Sequence, residues 1–140
     1  EKPCIGVSTL AATAYNVTDG FVCVAMDARA GQVYTALFRM HEGVQERVSE
    51  DAALPLELLE EPILAEKSVI LLGDGAKLCY TKYEKKHPGL ILAPEWLRYP
   101  RASGVAAAAA GLQPTDPAEL TVRYLRLPQA ERERLLREAK

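Results

Sequence analysis

This chain is poor in the residues from which most catalytic centres are built. It holds 2 histidines, 3 cysteines and 1 tryptophan among 140 residues. His41 and His87 are 46 residues apart, and neither has another His, Cys or Asp three or four positions away, so the paired ligands of a helical metal site are missing. Ser8, Ser49, Ser68 and Ser103 lie outside any G-x-S-x-G turn, and no base stands beside them in sequence. Cys4, Cys23 and Cys79 are odd in number and include no C-x-x-C pair. They read as free buried thiols in a reducing compartment rather than as redox groups. No stretch approaches the ~20 apolar residues that span a bilayer. The N-terminus also lacks the charged, apolar, small-residue order of a signal peptide. The expected location is the cytoplasm, with no membrane partner.

What is present fits one soluble domain. With 49% hydrophobic and 26% charged residues, a chain of this size can fold without metals or disulfides. A formal net charge of −2 gives no general basic field for nucleic acid. The distribution is uneven: residues 1–122 carry 11 basic against 16 acidic side chains, and 123–140 carry 6 against 3. Arg123, Arg126, Arg132, Arg134 and Arg137, interrupted by Glu131, Glu133 and Glu138, read as a solvated face of mixed charge, with contact to a tRNA backbone as the alternative.

Ser8 is placed to cap a short helix over 8–16, where Leu10, Ala11, Ala14 and Tyr15 recur at helical spacing. Phe21 to Met26 is apolar at every position, as a central strand covered on both faces requires. Ala30-Gly31 offers the positive φ of a tight hairpin into a partner strand, Val33 to Met40. Val44 to Ser49 alternates with charge on both faces, the pattern of a protected edge strand. Pro55 is expected in the first turn of an amphipathic helix bearing Leu56, Leu59 and Ile63. Val69 to Leu72 is a short buried strand. Ala76 to Lys86 reads as a helix with Cys79, Tyr80 and Tyr83 inward, and Leu90 to Leu92 as a last strand. Ala106 to Ala110 lies within a helix over 101–112 that Gly111 should cap. A turn-rich link over 113–120 leads to a charged helix over 128–140.

Three segments carry a family resemblance. G-V-S-T-L (Gly6 to Leu10) is followed, after sixteen intervening residues, by D-A-R-A-G-Q-V-Y (Asp27 to Tyr34). About ninety residues further on stands T-V-R-Y-L-R-L-P-Q-A-E-R (Thr121 to Arg132). Together they resemble the second half of the TsaB/YeaZ family, glycoprotease-like subunits of the bacterial machinery that makes threonylcarbamoyladenosine on tRNA. The family's opening strand with its Asp-Thr-Ser phosphate loop, and its Gly-Pro-Gly-Ser-Phe-Thr-Gly segment, do not occur here. The resemblance therefore implies a C-terminal lobe alone, over 1–112, with 113–140 as linker and terminal helix of the same domain and the family's N-terminal lobe absent.

The fold class so implied is α/β, a ribonuclease H-like lobe of the actin-like superfamily. Its mixed five-stranded sheet would run in the order 3-2-1-4-5 with helices on both faces. The implied function is that of a non-catalytic scaffold, requiring no cofactor of its own. Its partners would be a TsaD-like catalytic subunit and a TsaE-like ATPase, with tRNA engaged indirectly and a homodimer among the assemblies allowed. Two other readings stay open: a lobe of a nucleotide-dependent, sugar-kinase-like enzyme, or a free-standing interaction domain.

Several residues are candidates for contact. Gly73, Asp74 and Gly75, between a strand and a helix, sit where an α/β fold can present amides to a phosphate, although two glycines also suit a plain turn with an Asp cap. Asp27 and Arg29, if both extended, share one face of the hairpin, where they form either a local ion pair or a partner contact. Tyr34 closes the hairpin motif. Trp96, with Leu97, Tyr99 and Pro100 around Arg98 and Arg101, reads as a loop packed over the sheet edge or as an aromatic anchor for a partner.

Overall fold

The all-apolar run after Gly20 becomes the middle of the sheet. In the computed structural model, which describes residues 2–127 together with Glu131, Arg134, Arg137 and Glu138, strand β1 spans Gly20–Asp27. Its side chains alternate between two faces. Phe21, Cys23 and Ala25 enter one buried cluster, and Val22 and Val24 enter the other. Strand β2 (Gln32–His41) pairs antiparallel with β1 along its whole length, from Gly20 opposite Met40 to Asp27 opposite Val33.

The outer edge of β2 departs from expectation. It is covered by two short strands, β3 (Val44–Arg47) and β4 (Ala52–Pro55), both antiparallel to it. Between them the amides of Val48 and Ser49 both donate to the Leu37 carbonyl, at 2.9 and 3.2 Å, and the Leu37 amide donates to the Ser49 hydroxyl at 2.9 Å. Two residues oppose one, so the ladder breaks in the manner of a bulge and resumes four residues later. Pro55 consequently ends a strand rather than lying inside a helix. At an edge its missing N–H removes no ladder bond. A 3-10 turn (Leu56–Leu59) and helix α2 (Glu60–Leu64) follow it.

Strand β5 (Val69–Leu72) lies parallel to β1, and β6 (Leu90–Leu92) parallel to β5. Each parallel step needs a crossover, supplied by α2 and by α3 (Ala76–Tyr83). The sheet therefore has six strands, not five, ordered β3-β2-β1-β5-β6 with β4 also against β2.

Helices cover both faces. On one, Leu59, Ile63, Cys79 and Tyr83 pack on Phe21, Val69 and Leu71, and the Tyr83 hydroxyl donates to the Leu56 carbonyl. On the other, α1 (Thr9–Ala14) sends Leu10, Ala11 and Ala14 onto Val22, Val24, Phe38 and Met40. Helix α4 (Ala102–Ala109) lies against α1. It touches through Gly104, where a Cβ would stand 2.2 Å from the Ala12 carbonyl oxygen. The polyalanine helix is shorter than its sequence suggests, ending at Ala109 with Ala110 as its C-cap, and Gly111 is not among the positive-φ residues that would make it a left-handed cap.

The expected terminal helix lies mostly outside the described residues; Glu131, Arg134, Arg137 and Glu138 are helical. Among the described residues no helix is long and apolar enough to cross a membrane.

Candidate functional site

The three segments that carried the family resemblance meet at one place. Ser8 has extended φ/ψ and caps α1, accepting from the Ala11 amide at 3.2 Å. Its hydroxyl donates to Asp51 at 2.6 Å, and Arg47 donates to the same carboxylate at 2.6 Å. From the far end of the chain Arg126 reaches across and donates to the Ala28 carbonyl in the β1–β2 hairpin. Between these elements opens a cavity of about 340 Å³, lined by Ser8, Met26, Tyr34, Asp51, Tyr124 and Arg126 among others. Ser8 was legible only as a cap, and Asp51 carried no sequence signal. It lies in the interruption between β3 and β4, a feature set by pairing with β2.

Ser8→Ala removes both the cap and the partner of Asp51, and is expected to cost about 1–2 kcal/mol in denaturant unfolding. A loss below about 0.5 kcal/mol would show that the cap is idle.

The hairpin is built differently from a plain two-residue turn. Arg29, Ala30 and Gly31 all have positive φ, at 65, 52 and 71°. Arg29 is therefore not extended, and the shared-face geometry expected for Asp27 and Arg29 does not arise. They pair locally instead: the Arg29 amide donates to Asp27 at 2.7 Å, with the guanidinium 3.4 Å from its other oxygen. The Arg29 side chain is 88% exposed, so Arg29→Ala should change stability by at most about 1 kcal/mol.

Gly73-Asp74-Gly75 is a turn whose polar groups are committed to the fold. The Gly73 amide donates to the Arg98 carbonyl at 2.9 Å and the Gly75 amide to the Ala25 carbonyl at 3.0 Å. Asp74 accepts from the Asp27 amide at 3.0 Å, tying the turn to the end of β1. Both glycine amides are thus taken by backbone carbonyls, as in the plain turn that the sequence also allowed.

Trp96 is 70% exposed and lies outside the cavity, in a 3-10 turn (Glu95–Leu97). Its loop is held by Asn16, whose amide donates to the carbonyls of Leu97 and Tyr99 at 2.7 and 2.8 Å, and by Arg101 donating to the Trp96 carbonyl at 2.6 Å. Leu97 packs on the core, while Trp96 and Tyr99 face solvent.

The histidines are separated as their spacing suggested. His87 is buried, its Nε2 against the Glu66 carbonyl and its Nδ1 accepting from the Gly89 amide. His41 is exposed near Asp19, whose carboxyl is held below its usual range chiefly by the Glu42 amide. Among the described residues no group of three or more His, Cys, Asp or Glu could hold a metal ion.

No family model and no curated protein matches this chain. Solved structures do. An uncharacterized protein with similarity to peptidase YeaZ from Pseudomonas aeruginosa superposes with a TM-score of 0.68 at 23% identity over 89% of this chain. The fold is YeaZ-like. YeaZ from Pseudomonas aeruginosa itself gives a TM-score of 0.58 at 24% identity over 77% of the chain. The chain spans 60% and 50% of the lengths of these two YeaZ-like structures. The same α/β arrangement of a mixed sheet with helices is thus shared.

Proposed function

We propose that this chain is a ribonuclease H-like, actin-like lobe of a cytoplasmic TsaB-type scaffold that acts in making threonylcarbamoyladenosine at position 37 of tRNA. In this reading the chemistry belongs to a TsaD-like catalytic subunit, energised by a TsaE-like ATPase, and tRNA is engaged through that assembly. The observation that carries the reading is the convergence of Gly6 to Leu10, Asp27 to Tyr34 and Thr121 to Arg126 around one cavity in a YeaZ-like fold. Fold likeness alone would not assign a role, because one fold serves many functions. The shared motifs narrow it.

The lobe is proposed to work within a longer two-lobed protein, with the first lobe providing the main face for the catalytic subunit. In a pull-down, the chain alone should retain the TsaD-like subunit weakly or not at all. A stoichiometric complex with the chain alone would overturn that division of labour. In the longer protein, Arg29→Ala should weaken assembly more than it lowers the melting temperature, since its guanidinium is exposed and contributes little to the fold. Undiminished assembly with a reduced melting temperature would reverse the assignment.

A further inference from the structure

Two arginines line the cavity beside Tyr34, and neither is fully engaged by the described residues. Arg126 donates through Nη1 to the Ala28 carbonyl, but its buried Nε has no hydrogen-bond partner among the described residues. A buried donor in that state is unfavourable unless something else satisfies it. Arg123, on the same segment and in the same wall, has among the described residues a 3.7 Å contact with Glu50, both side chains being mostly exposed. The one carboxylate among the lining residues, Asp51, is already compensated by Arg47 and by the Ser8 hydroxyl. Arg123 and Arg126 therefore line a cavity whose one acid among the described residues, Asp51, is already compensated by neighbours. Met26, Leu10 and Leu125 supply an apolar wall beside them. A volume of about 340 Å³ falls in the range of small-molecule sites, which combine apolar lining with a few placed polar groups.

We propose that this cavity binds a small anion, a carboxylate or phosphate on a compact apolar body, with Arg126 as the charged anchor and Arg123 as a second contact. The ligand's oxygens would accept from the guanidinium donors, charge-assisted bonds that are short and strong when shielded from water. Its body would lie against Met26 and Leu125. Binding would bridge the C-terminal segment to α1, and would reinforce its link to the hairpin, which Arg126 makes through the Ala28 carbonyl. The proposal does not depend on the scaffold reading, and either can fail without the other.

Backbone amide NMR titrations of the full chain with phenyl phosphate, benzoate and inorganic phosphate test it, with sodium chloride as the ionic control. Saturable shifts confined to Ser8, Met26, Tyr34 and residues 123–126 are expected for phenyl phosphate, benzoate or both. Saturation by phenyl phosphate alone assigns a phosphate ligand, and by benzoate alone a carboxylate. Arg126→Gln should weaken binding at least about tenfold while leaving the spectrum of the sheet intact. If that variant does not fold, Arg123→Gln serves in its place with a smaller loss. The absence of saturable shifts at these residues, shifts spread over the surface lysines, or unchanged binding in the arginine variants would overturn the proposal.

Discussion

Gly73→Ala is expected to destabilise the fold by about 3–5 kcal/mol, a large share of the ~5–15 kcal/mol typical of a domain. Gly73 has φ +94°, and a Cβ there would lie 2.0 Å from the Ala25 carbonyl oxygen and 2.6 Å from its carbon. Those atoms belong to β1, buried in the middle of the sheet, and cannot withdraw without breaking its pairing with β2 and β5. The positive φ alone costs an L-residue only ~1–2 kcal/mol, so the close approach supplies the rest. Gly31→Ala separates the two contributions. Gly31 also has positive φ, +71°, yet nothing lies within 4 Å of its would-be Cβ, so its loss should stay near ~1 kcal/mol. Urea unfolding of both variants checks this. Equal losses would show that the packing of this turn on β1 has been misjudged.

Stability is expected to fall steeply as pH rises from about 9 to about 11. Burial pushes the Cys23 thiol up from 9.0 to about 11, although the Thr35 hydroxyl opposes the change. Burial pushes Cys79 up as well, with Cys23 adding to it, and desolvation takes Tyr83 up to about 12, reinforced by Cys79. Each folded-state value lies above the unfolded one. The stabilisation is therefore fully present below pH 9, where both states hold the proton, and is lost as the unfolded state ionises first. For Cys23 a shift from 9.0 to about 11 corresponds to roughly 3 kcal/mol, at ~1.4 kcal/mol per pH unit. Denaturant unfolding across pH 8–11 should show this slope, and Cys23→Ala should lessen it, leaving the share that Cys79 and Tyr83 contribute. At pH 8 a thiol reagent should label Cys4, which is only partly buried, before Cys23 and Cys79, which react on unfolding. A flat pH profile, or equal labelling of all three thiols in the native protein, would contradict the burial on which this argument rests.

The centre of the sheet was legible because it is written locally. Phe21 to Met26 can only be a strand buried on both faces, and the helices beside it show their inward residues at helical spacing. The edge was not legible. Val48 and Ser49 look like a continuation of an alternating strand, and only the Leu37 carbonyl, accepting from both, reveals that the strand breaks and restarts as β4. Gly104 likewise reads as a weak point in a helix until the Ala12 carbonyl is seen packed against it. The cavity was hidden for the same reason. Ser8 and Asp51 are 43 residues apart in sequence, and Arg126 and Ala28 are 98 apart. Each motif was recognisable, but no periodicity states that they converge. At Gly73 to Gly75 the local pattern allowed either a plain turn or a phosphate contact, and the tertiary structure engages both glycine amides with backbone carbonyls.

The most direct test of the whole account is the nucleoside composition of tRNA from cells in which the gene for this chain is deleted. The account predicts that threonylcarbamoyladenosine at position 37 is lost, and that it returns when the gene is restored. Unchanged levels of the modified nucleoside in the deletion strain would contradict it.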